Sequence, residues 1–212
     1  MQPNPASRHL RYREEGGAVL DVIQRLKERD EAALRLIIQQ HGDYLLRTAY
    51  LLMKDRQSAE EAVQDTFITA YQKIDQLHDP QRLRSWLTQI AVNRCRMKQR
   101  TWNWRNLLPS SRVEELLEDE AVDSPLTQLL AASRNESLTQ AIHLLDYKYR
   151  EVITLFYYNE LGVREIADQT GINENTIKAR LSRGRSLLRI LLAKEGITDA
   201  TGERNDQPAI EG

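Results

Sequence analysis

Cysteine is almost absent: Cys95 is the only one in 212 residues. That excludes an internal disulfide framework and fits a reducing compartment without requiring one. Six prolines and nine glycines are few, and β-branched alternation is scarce, so the chain reads as all-α. No apolar run approaches the roughly 18 residues needed to cross a bilayer, which argues against membrane insertion. The opening MQPNPASRHLRYREEGG lacks the apolar core of a signal peptide and is expected to be a tail over residues 1–17. The four histidines, His9, His41, His78 and His143, have no metal-ligand spacing. There is no nucleophile motif and no glycine-rich phosphate loop. The expectation is therefore no enzymatic activity, no metal and no cofactor. A net charge of −1 would speak against a nucleic-acid partner if the charges were evenly mixed, but they are strongly segregated.

The clearest organisation lies between Val163 and Leu192, VREIADQTGINENTIKARLSRGRSLLRILL. Two helical patterns are separated by Gly171-Ile172-Asn173, and Ala167, Gly171 and Ile177 follow one another at spacings of four and six. A helix-turn-helix unit needs a small residue where its helices cross, a glycine in the turn and a branched apolar residue to seat the second helix. At about 100° per residue, Ile177, Leu181, Gly184, Leu188 and Leu191 share one face of the second helix. Asn175, Ala179, Ser182, Arg183 and Ser186 share the other, flanked by Lys178 and Arg189. Six bases and one acid between Asn173 and Lys194 suit a major groove better than an ordinary solvated face.

Earlier in the chain, Val19, Leu20, Ile23 and Leu26 mark an opening helix, and Ala33, Leu34, Ile37 and Ile38 a second. Tyr44 to Met53 reads as a central core helix. Ser58 and Glu61 have capping-box spacing at the start of AEEAVQDTFITAYQKI, with Val63, Phe67, Ala70 and Ile74 on its buried side. Taken alone, the acids of its first turns are better explained by capping and solubility than by a binding role. No acid occurs between Pro80 and Val113, where eight basic residues are interleaved with Trp86, Trp102 and Trp104. Bases neutralise phosphates and exposed indoles stack on unpaired bases, a pairing that suits single-stranded DNA. Trp86, with Ile90 and Met97, also fits a core stripe, and Cys95 reads as a small packing residue. An acidic stretch with Glu114, Glu115, Glu118, Asp119, Glu120 and Asp123 follows and reads as a linker. Leu138, Ile142 and Leu145 then mark one helix, and Val152, Ile153, Phe156 and Tyr157 the next.

Taken together, AEEAVQDTFITAYQKI, RLRSWLTQIAVNRCRM, the acidic linker and YREVITLFYYNELGVREIADQTGINENTIKARLSRGRSLL resemble a bacterial extracytoplasmic-function (ECF) sigma factor over roughly residues 19–192. The resemblance implies two helical domains, region 2-like at 18–105 and region 4-like at 126–194. An acidic linker at 106–125 joins them, and a second tail occupies 195–212. It implies binding to core RNA polymerase through the β′ clamp and β flap. Glu61, Gln64 and Asp65 stand in the clamp-docking stretch. It implies capture of the −10 element by Arg84, Trp86, Asn93, Arg94 and Lys98. Duplex readout of the −35 element falls to Asn175, Thr176, Lys178, Ser182, Arg183 and Ser186. The linker is expected to thread the polymerase's RNA path. A cytoplasmic location and restraint by an anti-sigma factor, often membrane-anchored, are also implied. Departures from the family pattern include Glu61, Ala62, Tyr147 and Gly162, none of which removes a required charge or donor. A one-component helix-turn-helix regulator and a protein-binding adaptor are the alternatives.

Overall fold

The computed structural model describes residues 20–105 and 136–194. The expected tails and the linker lie outside them. Every regular element among the described residues is helical. Helix α1 covers 20–27, α2 Glu31–Met53 and α3 Arg56–Lys73. Short 3₁₀ turns at Ile74–Gln76 and Pro80–Arg82 lead into α4, Leu83–Arg105. The second bundle comprises α5 Glu136–Leu144, α6 Tyr147–Ile153, a π-helical turn Thr154–Tyr158, α7 Val163–Thr170 and α8 Glu174–Lys194.

In the first bundle α2, α3 and α4 pack on one another. Leu45, Ala49 and Leu52 from α2, Ala62, Val63, Phe67 and Ala70 from α3, and Leu87, Ala91, Val92 and Cys95 from α4 fill its interior. Small residues at α3 and α4 let these helices approach closely. Buried threonines solve the resulting polar problem locally: Thr48, Thr66 and Thr88 donate to the carbonyls of Tyr44, Ala62 and Arg84 at 2.9, 2.7 and 2.8 Å, one turn back. Burial pushes the Cys95 thiol up to about 12, so it packs as a neutral group.

Three local expectations are corrected. The segments 33–38 and 44–53 form one helix rather than two, because a lone interior Gly42 costs only about 1 kcal/mol against alanine and the packed face continues through it. Helix α3 starts earlier than Ser58: Asp55 is its N-cap, accepting from the Ser58 N–H at 2.7 Å. Ser58 therefore sits at the third helical position, and no Ser58–Glu61 capping box forms. Met97 is 58% exposed, so it is not part of the core stripe with Ile90, whereas Trp86 is half-buried against the core.

The two bundles meet along α2, which packs against α5, α6 and the π turn. Arg150, 2% exposed, donates to the Leu52 carbonyl through Nε and Nη2 at 3.1 and 2.9 Å and to the Leu145 carbonyl at 2.7 Å. The π turn re-aims the chain, so that Tyr158 stacks on Tyr44 at 5.6 Å. Asn159 beside it donates to the Tyr44 and Thr48 hydroxyls at 2.7 and 2.8 Å. His143 Nε2 lies 3.0 Å from the Tyr50 carbonyl.

Burial holds His143 well below its ordinary 6.5, at about 4, with the positive charges of Arg150, Lys54 and Arg47 adding to the effect and the hydrogen bond to Tyr50 opposing it. The unfolded chain takes up a proton at this position between 6.5 and about 4 that the folded chain refuses. Stability is therefore lost on acidification across that window. Urea unfolding midpoints should fall less steeply with acidification in His143→Gln than in the parent. Parallel pH profiles would show that His143 is not the group responsible.

Candidate nucleic-acid interface

The helix-turn-helix is built as its residues require. Gly162 caps α7, with its N–H donating to the Glu165 carboxylate at 2.8 Å. Gly171 closes the helix at φ +69°, its N–H bonded to the Ala167 carbonyl at 2.8 Å, a left-handed position that favours glycine. Asn173 starts α8 by accepting from the Thr176 N–H at 2.8 Å. Ile177, Leu181, Gly184, Leu187 and Leu188 face the core. Leu187 was not on the expected stripe, and Leu191 is only half-buried.

Gly184 has a separate steric reason. A Cβ there would lie 3.0 Å from Ile153 Cγ1 and 3.5 Å from Tyr149 Cβ, so glycine lets α8 lie directly on α6. Opposite this contact, Asn175, Lys178, Ala179 and Arg183 are exposed, and Thr176, Ser182 and Ser186 are half-exposed. The six residues expected to read duplex DNA are thus all at least partly exposed, with Thr176 at the edge of the core face.

An open cleft of about 880 Å³ borders the start of α8, with Asn173 to Thr176, Ala179, Arg180 and Arg183 on one side and Lys148 and Tyr149 on the other. Arg180 and Lys148 were not among the expected contacts. Arg180 follows Thr176 by one turn, so its angle could have indicated it. Lys148 reaches the cleft from α6 and leaves no local signal.

The expected sites on the first bundle are brought into contact with each other. Glu61 on α3 pairs with Lys98 on α4 at 2.6 Å. The hydrogen bond from Lys98 and its charge hold the Glu61 carboxyl below its ordinary value. Arg94 donates to the Thr69 hydroxyl at 2.6 Å, and the Arg84 guanidinium lies 4.0 Å from the Tyr44 ring centroid. Asn93 and Gln64 are exposed and Asp65 half-exposed. Among the described residues no group of acids, histidines and cysteine is arranged to hold a metal, and no helix is long and apolar enough to cross a membrane.

Two helical bundles, one ending in a basic reading helix, define a DNA-binding transcription protein. The sigma-70 region 2 family matches residues 37–105, and the sigma-70 region 4 family matches residues 135–188. The ECF RNA polymerase sigma factor SigL of Mycobacterium tuberculosis is 31% identical over 173 residues, covering 80% of this chain and 94% of the relative. RNA polymerase sigma factor SigV of Bacillus subtilis is 27% identical over 172 residues, covering 81% of this chain and 98% of the relative. The fold is shared with the sigma factor RpoE of Bartonella quintana, solved with the anti-sigma factor NepR. There the TM-score is 0.57 at 24% identity, over 75% of this chain and 96% of that one. The chain belongs to the ECF group of sigma-70 factors, and it directs promoter-specific initiation by RNA polymerase. Matches to both regions leave the one-component regulator unfavoured.

The contact at Gly184 yields a direct test of the reading helix's seat. Gly184→Leu should destabilise the protein, because overpacking costs about 1–3 kcal/mol against roughly 1 kcal/mol gained in helix propensity. Equilibrium urea unfolding measures the balance, and unchanged stability would show that α8 has room to move off α6.

Proposed function

We propose that α8 reads the −35 element as duplex in the major groove through Asn175, Thr176, Lys178, Ser182, Arg183 and Ser186. The carrying observation is the division of α8: one face is locked into the core by Ile177, Leu181 and Gly184. The opposite face presents short polar groups near its start and cations beside them. Such a helix keeps its reading face fixed without help from the ligand, which is the arrangement of a recognition helix.

We assign −10 capture to α4. Asn93 is the central reader, because an amide both donates and accepts and so distinguishes the edge of an unpaired base. Trp86 lies two turns earlier on the same helical face, half-buried against the core. Arg84, Arg94 and Lys98 are the phosphate partners. The latter two release Thr69 and Glu61 when DNA takes their place. Glu61, Gln64 and Asp65 form the β′-clamp contact, and the second bundle takes the β flap. The acidic linker at 106–125 follows the RNA path, where its carboxylates occupy positions otherwise suited to phosphates. The chain acts in the bacterial cytoplasm as a binding factor without catalysis, and an anti-sigma factor, membrane-anchored or free, restrains it.

For the −35 assignment, Arg183→Ala or Lys178→Ala should weaken duplex binding by about 1–3 kcal/mol if the lost contact is bidentate to a base. A phosphate contact would instead lower affinity for all sequences and reduce the salt slope. Unchanged binding by both folded variants would remove α8 from the groove.

For the −10 assignment, Asn93→Ala should spare core polymerase binding and −35 recognition while impairing open-complex formation. A template with a pre-melted −10 bubble should recover the part of the defect that arises in opening. Permanganate footprinting of duplex and bubble templates reads this, and equal melting by parent and variant would remove Asn93 from the reaction.

A further inference from the structure

The cleft beside the start of α8 gathers cations from two helices that are distant in the chain. Arg180 and Arg183 enter it from α8 and Lys148 from α6. The Lys148 ammonium lies 4.8 Å from the centroid of the Tyr149 ring, a contact in which the ring face attracts the cation. Tyr149 is 2% exposed, and its Cβ would lie 3.5 Å from a Cβ at position 184, so core packing sets this ring in place. Glu151, one turn along α6 from Lys148, gives both carboxylate oxygens to Arg96 at 2.5 and 2.8 Å. Glu174 is the one acid among the residues around the cleft. Among the described residues neither Arg180 nor Arg183 forms an ion pair. Three cations therefore face a shared open space with one carboxylate beside them.

Their order round α8 separates Arg180 and Lys148 from the base-reading residues. An α-helix about 10–12 Å across fills a major groove about 12 Å wide, so its two margins meet the phosphate walls. At about 100° per residue, Arg183 lies roughly 70° from the line through Asn175, Ala179, Ser182 and Ser186, and Arg180 roughly 130°. Arg180 is thus turned toward the wall of the groove and away from its floor, and Lys148 lies beyond it on another helix. On the opposite margin Lys178 and Arg189 are exposed on α8 itself, whereas on the α6 side the row of cations continues onto a second helix. Such a row suits the phosphates of one strand. A phosphate asks only for charge and reach, while a base edge asks for matched donors and acceptors.

We propose that Lys148 and Arg180 bind phosphates of the −35 duplex, on the strand that borders α8 at its α6 side and outside the base-reading residues. The proposal rests on the −35 assignment above. Free phosphate offers the same chemistry, but the cleft is open along the reading face, which favours a continuous backbone over one enclosed group. Held from two helices, that strand fixes the angle at which α8 enters the groove. The two cations contribute affinity without sequence preference, and discrimination stays with Asn175, Ser182 and their neighbours.

The test is equilibrium binding of the full chain with core polymerase to a fluorescein-labelled promoter duplex, across about 50–200 mM salt. A second duplex carries a scrambled −35 element. Lys148→Gln and Arg180→Gln should each lower affinity for both duplexes by the same factor, about eightfold at roughly 0.1 M salt. Each should also reduce the slope of log affinity against log salt by about 0.9, the share of one phosphate contact. Lys148→Arg should keep the parent slope. Circular dichroism checks the fold of each variant, and because the two positions lie on different helices, misfolding of one leaves the other as the test.

Unchanged affinity and slope in the folded variants would overturn the phosphate contacts, as would an altered preference between the two duplexes at an unchanged slope. Replacing chloride by inorganic phosphate at equal ionic strength should affect parent and variants alike. A loss of duplex binding confined to the parent would assign the cleft to a small anion instead. A parent that fails to distinguish the two duplexes overturns the −35 assignment itself. A parent that distinguishes them, with both variants matching it in affinity and slope, overturns the phosphate contacts alone.

Discussion

The guanidinium of Arg150 answers a constraint that every helical protein meets: the last carbonyls of a helix have no partner within it. Helix α2 ends at Lys54 in a left-handed cap, and the Leu52 carbonyl near that end accepts two of the Arg150 donors. The Leu145 carbonyl, just past α5, accepts a third. Arg150 thus closes the ends of two helices in different bundles without a hydrogen-bonded carboxylate. Negative helix ends supply the compensating field, yet burial still weighs enough to lower its pKa to about 10. Beside the apolar residues that pack there, Arg150 adds a polar tie between the two bundles.

The proposed assignment of −10 capture to α4 and −35 readout to α8 puts one DNA contact on each bundle. Within each bundle the cores are apolar and tightly seated: Leu45, Leu52 and Leu87 in the first, Ile142, Ile153 and Ile177 in the second are all essentially buried. Between the bundles, Arg47, Arg150 and Asn159 add hydrogen bonds to the apolar contact. Each bundle therefore holds its own long helix, α4 or α8, against an apolar core. The charge segregation visible along the chain follows the same division, with acids in the first turns of α3 and bases on α4 and α8.

Much of this was legible in the residues. The helix-turn-helix followed from Ala167, Gly171 and Ile177, because a left-handed turn and a close crossing restrict side-chain type at fixed spacing. The buried side of α3 followed from the period of Val63, Phe67, Ala70 and Ile74. The cap of α3 was misplaced, since Asp55 and Ser58 are both good cap residues and only the backbone decides between them. The single helix through Gly42 was missed because tertiary packing outweighs one glycine. The π turn, the role of Arg150 and the Arg96–Glu151 pair join residues far apart in the chain, for which one sequence contains no periodic signal. Lys98 and Glu61 were each expected to face a partner, but not each other.

The chain supplies promoter specificity to RNA polymerase, and we assign that specificity to two separately held helices, α4 and α8. The most direct measurement is initiation mapping with purified chain, core polymerase and a library of bacterial genomic fragments. The account predicts a stable complex with core and transcripts starting downstream of two shared sequence elements held at one narrow spacing, all dependent on the chain. Binding to duplex DNA without association with core, and with no new start sites, would contradict it.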